Sequence, residues 1–212
     1  MKHKTAAITD RGNVREKNED SYLLCTKRFG RWEAVLAAVA DGMGGLSCGE
    51  HASRYTTECI RQWWEQTMEG REQPPALQEM QELLGFVVER IHKQLQDEMQ
   101  ERQLAMGTTL SMLCLWKMEY ILWKVGDSRI YLIHGSSARQ MTKDQTWCQE
   151  EMDAGRLTEE QAAMHPKRHV LTNALGSREG LFIDVQTGKA KKGRRFLLCS
   201  DGYYHYFCEK EL

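Results

Sequence analysis

Long hydrophobic runs are missing from this 212-residue chain. None approaches the ~20 apolar residues that cross a bilayer. Met1-Lys2-His3-Lys4 leads into no apolar segment of the signal-peptide type. The expectation is a soluble, cytoplasmic protein with no membrane contact. An excess of one charge is missing too. The 29 basic and 30 acidic side chains leave a net charge of -1 and interleave along the chain, which argues against a nucleic-acid-binding face. Seven cysteines are present, yet there is no Cys-x-x-Cys pair and no zinc-like spacing with histidine. Scattered through apolar segments, they read as reduced, mostly buried thiols. Internal repeats and low-complexity segments are absent. What remains is one large domain with enough chain to bury a substantial core.

Within that domain the texture alternates. Thr5 to Thr9 and Ser21 to Thr26 read as short strands joined by a charged loop, and Trp32 to Ala40 as a third. A helix is expected from Ser47 or Gly49, with Ala52, Tyr55, Cys59, Ile60, Trp63 and Trp64 on one side. Gly70 to Pro75 ends it. A second helix is expected from Ala76 to about Gln103, where Leu77, Met80, Leu84, Val87, Val88, Ile91, Leu95 and Met99 fall at steps of three and four. After Gly107 come short β-rich runs: Thr108 to Trp116, Tyr120 to Val125, Arg129 to His134 and Ala138 to Met141. Lys143 to about His169 is polar and helix-prone, and Phe182 to Gln186 and Arg195 to Cys199 are strands again. Strands, then two helices, then more strands predict antiparallel sheets with helices packed outside.

The chemistry is carried by carboxylates at strand ends. Val39-Ala40-Asp41-Gly42-Met43-Gly44-Gly45 puts one acid at the end of a buried strand beside glycines that let backbone come close. Alone it is also an ordinary turn signal. Asn18-Glu19-Asp20 precedes a strand, Ser200-Asp201-Gly202 follows one, and Gly126-Asp127-Ser128-Arg129 sits between two. Four such clusters in one domain, without supporting Cys or His, favour a hard ion, Mg2+ or Mn2+. Arg15 lies four residues before Glu19. Its guanidinium is either a bidentate fork for a phosphate or an exposed loop arginine paired with Glu16 or Glu19. His165 and His169 read either as residues that could approach substrate or, more simply, as solvated residues of the polar segment, His51 as structural or exposed, and His205 stays ambiguous.

Taken together, Thr9 to Ser21, Val39 to Gly45, Gly49-Glu50, Met106 to Leu110, Val125 to Tyr131, Thr142 to Gln145, Val170 to Gly176 and Ser200 to Gly202 resemble the metal-dependent type-2C Ser/Thr protein phosphatases, in particular the bacterial branch of the PPM family. The resemblance implies an α+β fold: a four-layer α-β-β-α sandwich of two antiparallel sheets flanked by helices, with a small flap subdomain at about 143–169. It implies hydrolysis of phosphoserine and phosphothreonine in proteins by a metal-activated water, opposing a cognate Ser/Thr kinase. In that scheme Asp41 bridges two ions, the Gly42 carbonyl binds one and Asp201 the other. Glu19 and Asp20 act through or orient water, Asp127 with Asp201 holds a third ion, and Arg15 binds the substrate phosphate. No cysteine nucleophile is needed.

The same resemblance implies, beyond Ser200-Asp201-Gly202, a helix, two core strands and a Gly-x-Asp-Asn motif that supplies a further ligand. Residues 203–212 contain no such motif. The expectation for this chain is therefore a C-terminally shortened domain, with terminal strands missing and one metal site short of a carboxylate. The open sheet edge would invite dimerisation or strand swapping. The alternative function is a catalytically inactive phosphatase-like module that binds phosphoproteins or a regulatory partner.

Overall fold

The structure, a computed structural model, describes residues 2–13, 15–44, 48–178 and 180–206. Gly45, Ser47 and Cys208 lie outside them. A tight hairpin starts the fold. β1 (Asp20–Phe29) turns back at Gly30-Arg31 into β2 (Trp32–Gly44), with Phe29 opposite Trp32 and Gly30 at φ 58°. Helices α1 (Cys48–Met68) and α2 (Leu77–Arg102) follow, then β3 (Met106–Thr108), β4 (Leu110–Trp116), β5 (Glu119–Val125), β6 (Arg129–His134) and β7 (Ser137–Gln140). The short helices α3 (Trp147–Asp153) and α4 (Glu159–Met164) occupy the polar segment, and β8 (Asp184–Lys189), β9 (Arg195–Cys199) and α5 (Asp201–Tyr204) complete the described chain.

Among the described residues the strands form two antiparallel sheets. The larger runs β1-β2-β4-β5-β8, with β3 added at the end of β2; the smaller runs β7-β6-β9. Period-two alternation decides what each face touches. Ala34, Leu36 and Ala38 of β2, Leu110, Met112 and Cys114 of β4, and Ile121, Trp123 and Val125 of β5 meet the buried stripes of α1 and α2. The opposite residues, Val35, Leu113, Leu115, Tyr120 and Leu122, face Ile130, Phe196 and Leu198 of the second sheet. The helix stripe expected for α2 is the one that is buried, from Met80 through Leu95.

Four expectations need correction. Thr5–Thr9 is not a strand: residues 2–10 join no ladder, and Ile8 is 91% exposed, because the segment has no apolar face large enough to bury. The run expected over Phe182–Gln186 begins at Asp184 and continues to Lys189. The Asn173 side chain takes both backbone groups of Phe182, accepting from its N–H at 3.3 Å and donating to its carbonyl at 2.5 Å. Thr108–Trp116 is broken at Thr109, whose N–H donates to the Asp41 carbonyl at 2.9 Å instead of continuing the ladder. Asp41 and Gly42 do not follow β2 but lie within it, since β1 pairs with Asp41 and β3 with Gly42.

Candidate metal centre

The hairpin register sets the first pair of acids. Asp20, the first residue of β1, stands directly opposite Asp41 of β2, a like-charge cross-strand pair that is unfavourable without a compensating ion. Asp201 opens α5 immediately after β9, and Ser200 just before it donates from Oγ to Asp20 Oδ2 at 2.7 Å, tying the two segments together. Asp127, 8% exposed, lies in the turn from β5 to β6.

Three of these groups share one electrostatic signature. Burial, and then the charges of Asp20, Asp201 and Asp127, push the Asp41 carboxyl up to about 9. Asp20 is also raised, first by burial and then by Asp201, with the Ser200 hydrogen bond pulling the other way. Burial pushes Asp127 up to about 6 against the opposing charge of Lys124. Without an ion these acids hold protons that exposed carboxyls release, and a divalent cation removes that penalty. The donors are carboxylate oxygens, which fit a hard ion.

Backbone packing around the centre is close enough to demand glycine. A Cβ on Gly42 would lie 2.1 Å from the Gly49 carbonyl oxygen and 2.7 Å from that of Glu19; one on Gly49 would lie 2.7 Å from Glu19 Oε1. The first turn of α1 is thus pressed onto the end of β2. Glu19 lies in that contact, its carbonyl accepting from Gly42 N–H at 3.1 Å and from Ser53 Oγ at 2.6 Å. Hydroxyls hold the Asp41 backbone: its N–H donates to Thr109 Oγ1 and its carbonyl accepts from Thr108 Oγ1, each at 2.9 Å.

The structure therefore brings Asp20, Asp41, Asp127 and Asp201 together, with Glu19 and Gly42 at the neighbouring helix start. Arg15 is exposed in the loop ahead of β1, and among the described residues it forms no ion pair with Glu16 or Glu19.

Several participants escaped the sequence reading. Lys124 is 1% exposed on the inter-sheet face, and its Nζ donates to the Gly126 carbonyl at 2.6 Å. Burial brings its pKa down to about 8. The alternation Tyr120, Leu122, Lys124 was the available signal. Arg129 makes a forked pair with Asp144, at 2.7 Å from Nη2 and 3.0–3.1 Å from Nε, and lies 3.8 Å over the Tyr204 ring. Gln145 and Gly126 exchange hydrogen bonds of 2.6 and 2.9 Å. His169, from the end of the 143–169 segment, and His205, one turn on from Asp201, approach Asp201 at 3.9 and 3.8 Å.

The family model described as Protein phosphatase 2C matches residues 13–212. The chain belongs to the protein phosphatase 2C family. It is 32% identical over 209 residues to the protein phosphatase PhpP of Streptococcus pneumoniae, covering 97% of this chain and 80% of that protein. Its fold superposes on the serine/threonine phosphatase of S. agalactiae with a TM-score of 0.86 at 27% identity, over 96% of this chain and 81% of that one. The catalytic domain of the serine/threonine phosphatase PstP, in complex with two manganese ions, matches with a TM-score of 0.74 at 32% identity, over 93% and 76%. By family this protein phosphatase 2C member is a metal-dependent protein Ser/Thr phosphatase, with the two antiparallel sheets and packed helices of its relatives. Among the described residues no helix is long and apolar enough to cross a membrane.

Proposed function

We propose that the chain hydrolyses phosphoserine and phosphothreonine in proteins with divalent ions held by its aspartate cluster. The observation that carries this reading is the convergence of Asp20, Asp41, Asp127 and Asp201, three of them with acidities weakened by burial and by one another. That retained set favours the hydrolase over an inactive binding module.

Asp41, the Gly42 carbonyl and Asp201 would hold two ions, with Asp41 serving both. Asp127 with Asp201 is assigned a third. Glu19 and Asp20 orient solvent around them, and Ser200 fixes the Asp20 carboxylate for that task. Mg2+ or Mn2+ suits the all-oxygen donors, and the manganese in the PstP structure supports the choice. When bound, such ions supply Lewis acidity toward water and the phosphoryl oxygens. Arg15 is assigned the substrate phosphate, which its planar fork matches bidentately. Its exposure lets a bulky protein substrate reach it.

Residues 143–169 serve as a flap subdomain within a single 1–212 phosphatase domain, anchored at its start by the Arg129–Asp144 and Gln145–Gly126 contacts. The cellular setting proposed with it is a cytoplasmic enzyme opposing a cognate Ser/Thr kinase. The outer edges of β7 and β9 have no described strand beyond them, which supports pairing between two copies. A monomer by light scattering at high concentration would remove that last reading.

Phosphate release from a phosphothreonine peptide with Mn2+ tests the assignment. Arg15→Ala should lower kcat/KM on the order of 100-fold, and Asp41→Ala should abolish turnover. An Asp41→Ala protein with full turnover would sink the metal-centre reading.

A further inference from the structure

Beside the aspartate cluster lies a second set of donors of different chemistry. His205 follows Asp201 by four residues, and its N–H donates to the Asp201 carbonyl at 3.1 Å, so one helical turn stacks the two side chains on the same side. His169 arrives from the far end of the 143–169 segment. Each histidine places Nδ1 near Asp201 Oδ2, at 3.9 and 3.8 Å, and one ligand atom from each of the three residues lies within 4.8 Å of the others. The two imidazole rings meet edge to face, with centroids 5.1 Å apart and planes at 87°, so neither blocks the other's nitrogens.

We propose that His169, Asp201 and His205 form a binding site for a borderline first-row ion of the Zn2+ class, distinct in ligand chemistry from the oxygen centre but sharing Asp201 with it. Two imidazoles and one carboxylate are a donor set that Zn2+, Co2+ and Ni2+ accept and Mg2+ does not favour. With metal–ligand bonds of about 2.0–2.2 Å, donors around one ion stand roughly 3–3.5 Å apart. The two His–Asp distances therefore need to close by ~1 Å or less, and the widest separation among the three by at most about 1.8 Å. Both histidines are exposed, with 47% and 40% of their side-chain surface open, and their χ rotations supply that movement without disturbing the core. Arg129, half-buried, is already engaged by Asp144 and does not pair with Asp201. Arg129 and Arg168 are the cations whose charge opposes the ion.

The site has a consequence beyond storage. An ion there draws the Asp201 carboxylate toward the histidines and fastens the end of the 143–169 segment to the start of α5. Mg2+- or Mn2+-supported hydrolysis should then fall as the borderline ion binds. Binding stands on the geometry alone; the inhibition rests on the function proposed above, and the two fail separately.

The test is a Co2+ titration of the full chain in saturating Mg2+, read by visible absorption, in wild type, His169→Ala and His205→Ala. Wild type should develop the intense bands of nitrogen-ligated, low-coordinate Co2+, and each variant should lose at least tenfold in Co2+ affinity or lose the bands. Thermal melts in EDTA confirm that the variants fold, and His205→Gln provides a second replacement of the same polarity. Zn2+ should inhibit wild-type hydrolysis at a concentration at least tenfold lower than it inhibits His205→Ala. Identical Co2+ spectra and affinities in wild type and in all three variants would overturn the proposal. Loss of the bands in the variants, in a protein with no hydrolytic activity, would uphold the site and count against the phosphatase reading alone.

Discussion

Replacing Asp41 by Asn should stabilise the ion-free protein, and by more as the pH rises. The carboxyl is held at about 9, against 3.8 for an unperturbed aspartate, by burial first and by Asp20, Asp201 and Asp127 after it. A folded-state pKa above the unfolded one means that the folded chain binds the extra proton between those values. The stability this contributes is complete below the unfolded pKa and is lost as pH rises through the folded one. Each pH unit in that window removes about 1.4 kcal/mol, so going from pH 4 to pH 7 removes at most about 4 kcal/mol. Water at the open rim of the cleft screens part of it, leaving about 2 kcal/mol. Asparagine keeps the shape and does not titrate. Urea unfolding in EDTA at pH 5, 7 and 8 should therefore give a gap between variant and wild type that widens with pH, reaching about 2 kcal/mol near neutrality. Adding Mn2+ should reverse the order, because wild type gains binding energy that the variant forgoes. In the difference between the two proteins, titrating groups outside the cluster cancel, and Asp20, Asp127 and Asp201 ionise more readily in the variant, which adds to the gap. A gap that stays constant with pH, or an Asn variant less stable than wild type at pH 8, would refute the claim that trapped carboxylate charge dominates this site.

Two further outcomes test the packing. Gly49→Ala should cost about 1–3 kcal/mol and weaken Mn2+ binding by calorimetry, since its Cβ meets Glu19 and the Gly42 backbone within 3 Å; Gly85→Ala in α2, with nothing within 4 Å, should instead stabilise by up to about 1 kcal/mol. Trp123 is fully buried and its indole N–H has no partner among the described residues, so Trp123→Phe should cost under about 1.5 kcal/mol because it removes an unsatisfied donor along with the lost volume; Leu84→Ala, at an equally buried position, should cost 2–5 kcal/mol by roughly the usual cavity scale.

How far the sequence speaks differs between fold and site. The stripe of α2 and the alternation of β2, β4 and β5 were legible because burial imposes their periods directly. Asp20, Asp41, Asp127 and Asp201 were legible as acids at strand ends, a placement that a period-two reading supplies. Their mutual approach was not, because it depends on a long-range register: Asp20 faces Asp41 only through the Gly30 hairpin, and Asp201 joins through Ser200. The end of β2 was placed too early, at Ala40, since Asp and Gly are poor strand residues; pairing with β3 and the Thr108 and Thr109 hydroxyls overrides that preference. Lys124 is not legible as buried, because lysine in a strand reads as exposed. Thr5–Thr9 erred the other way, for alternation promises a strand only when a partner and a covering layer exist.

The arrangement of positive charge explains why the acids remain available for an ion. Two cations lie close enough to have neutralised them internally. Arg129 is instead spent on Asp144, outside the cluster, and is stacked on Tyr204, so its fork cannot turn toward Asp127 or Asp201 without losing both contacts. Lys124 directs its ammonium at the Gly126 carbonyl, which leaves Asp127 subject to its field but without a direct ion pair. A buried salt bridge in either place would have stabilised the ion-free fold and filled the centre with protein charge. Holding both cations one step away keeps four carboxylates unmatched, and the stability forgone in the ion-free state is recovered when divalent charge enters. The same logic makes Asp201 the most exposed to competition: it is the member of the cluster with histidines, rather than a fixed cation, at its open side.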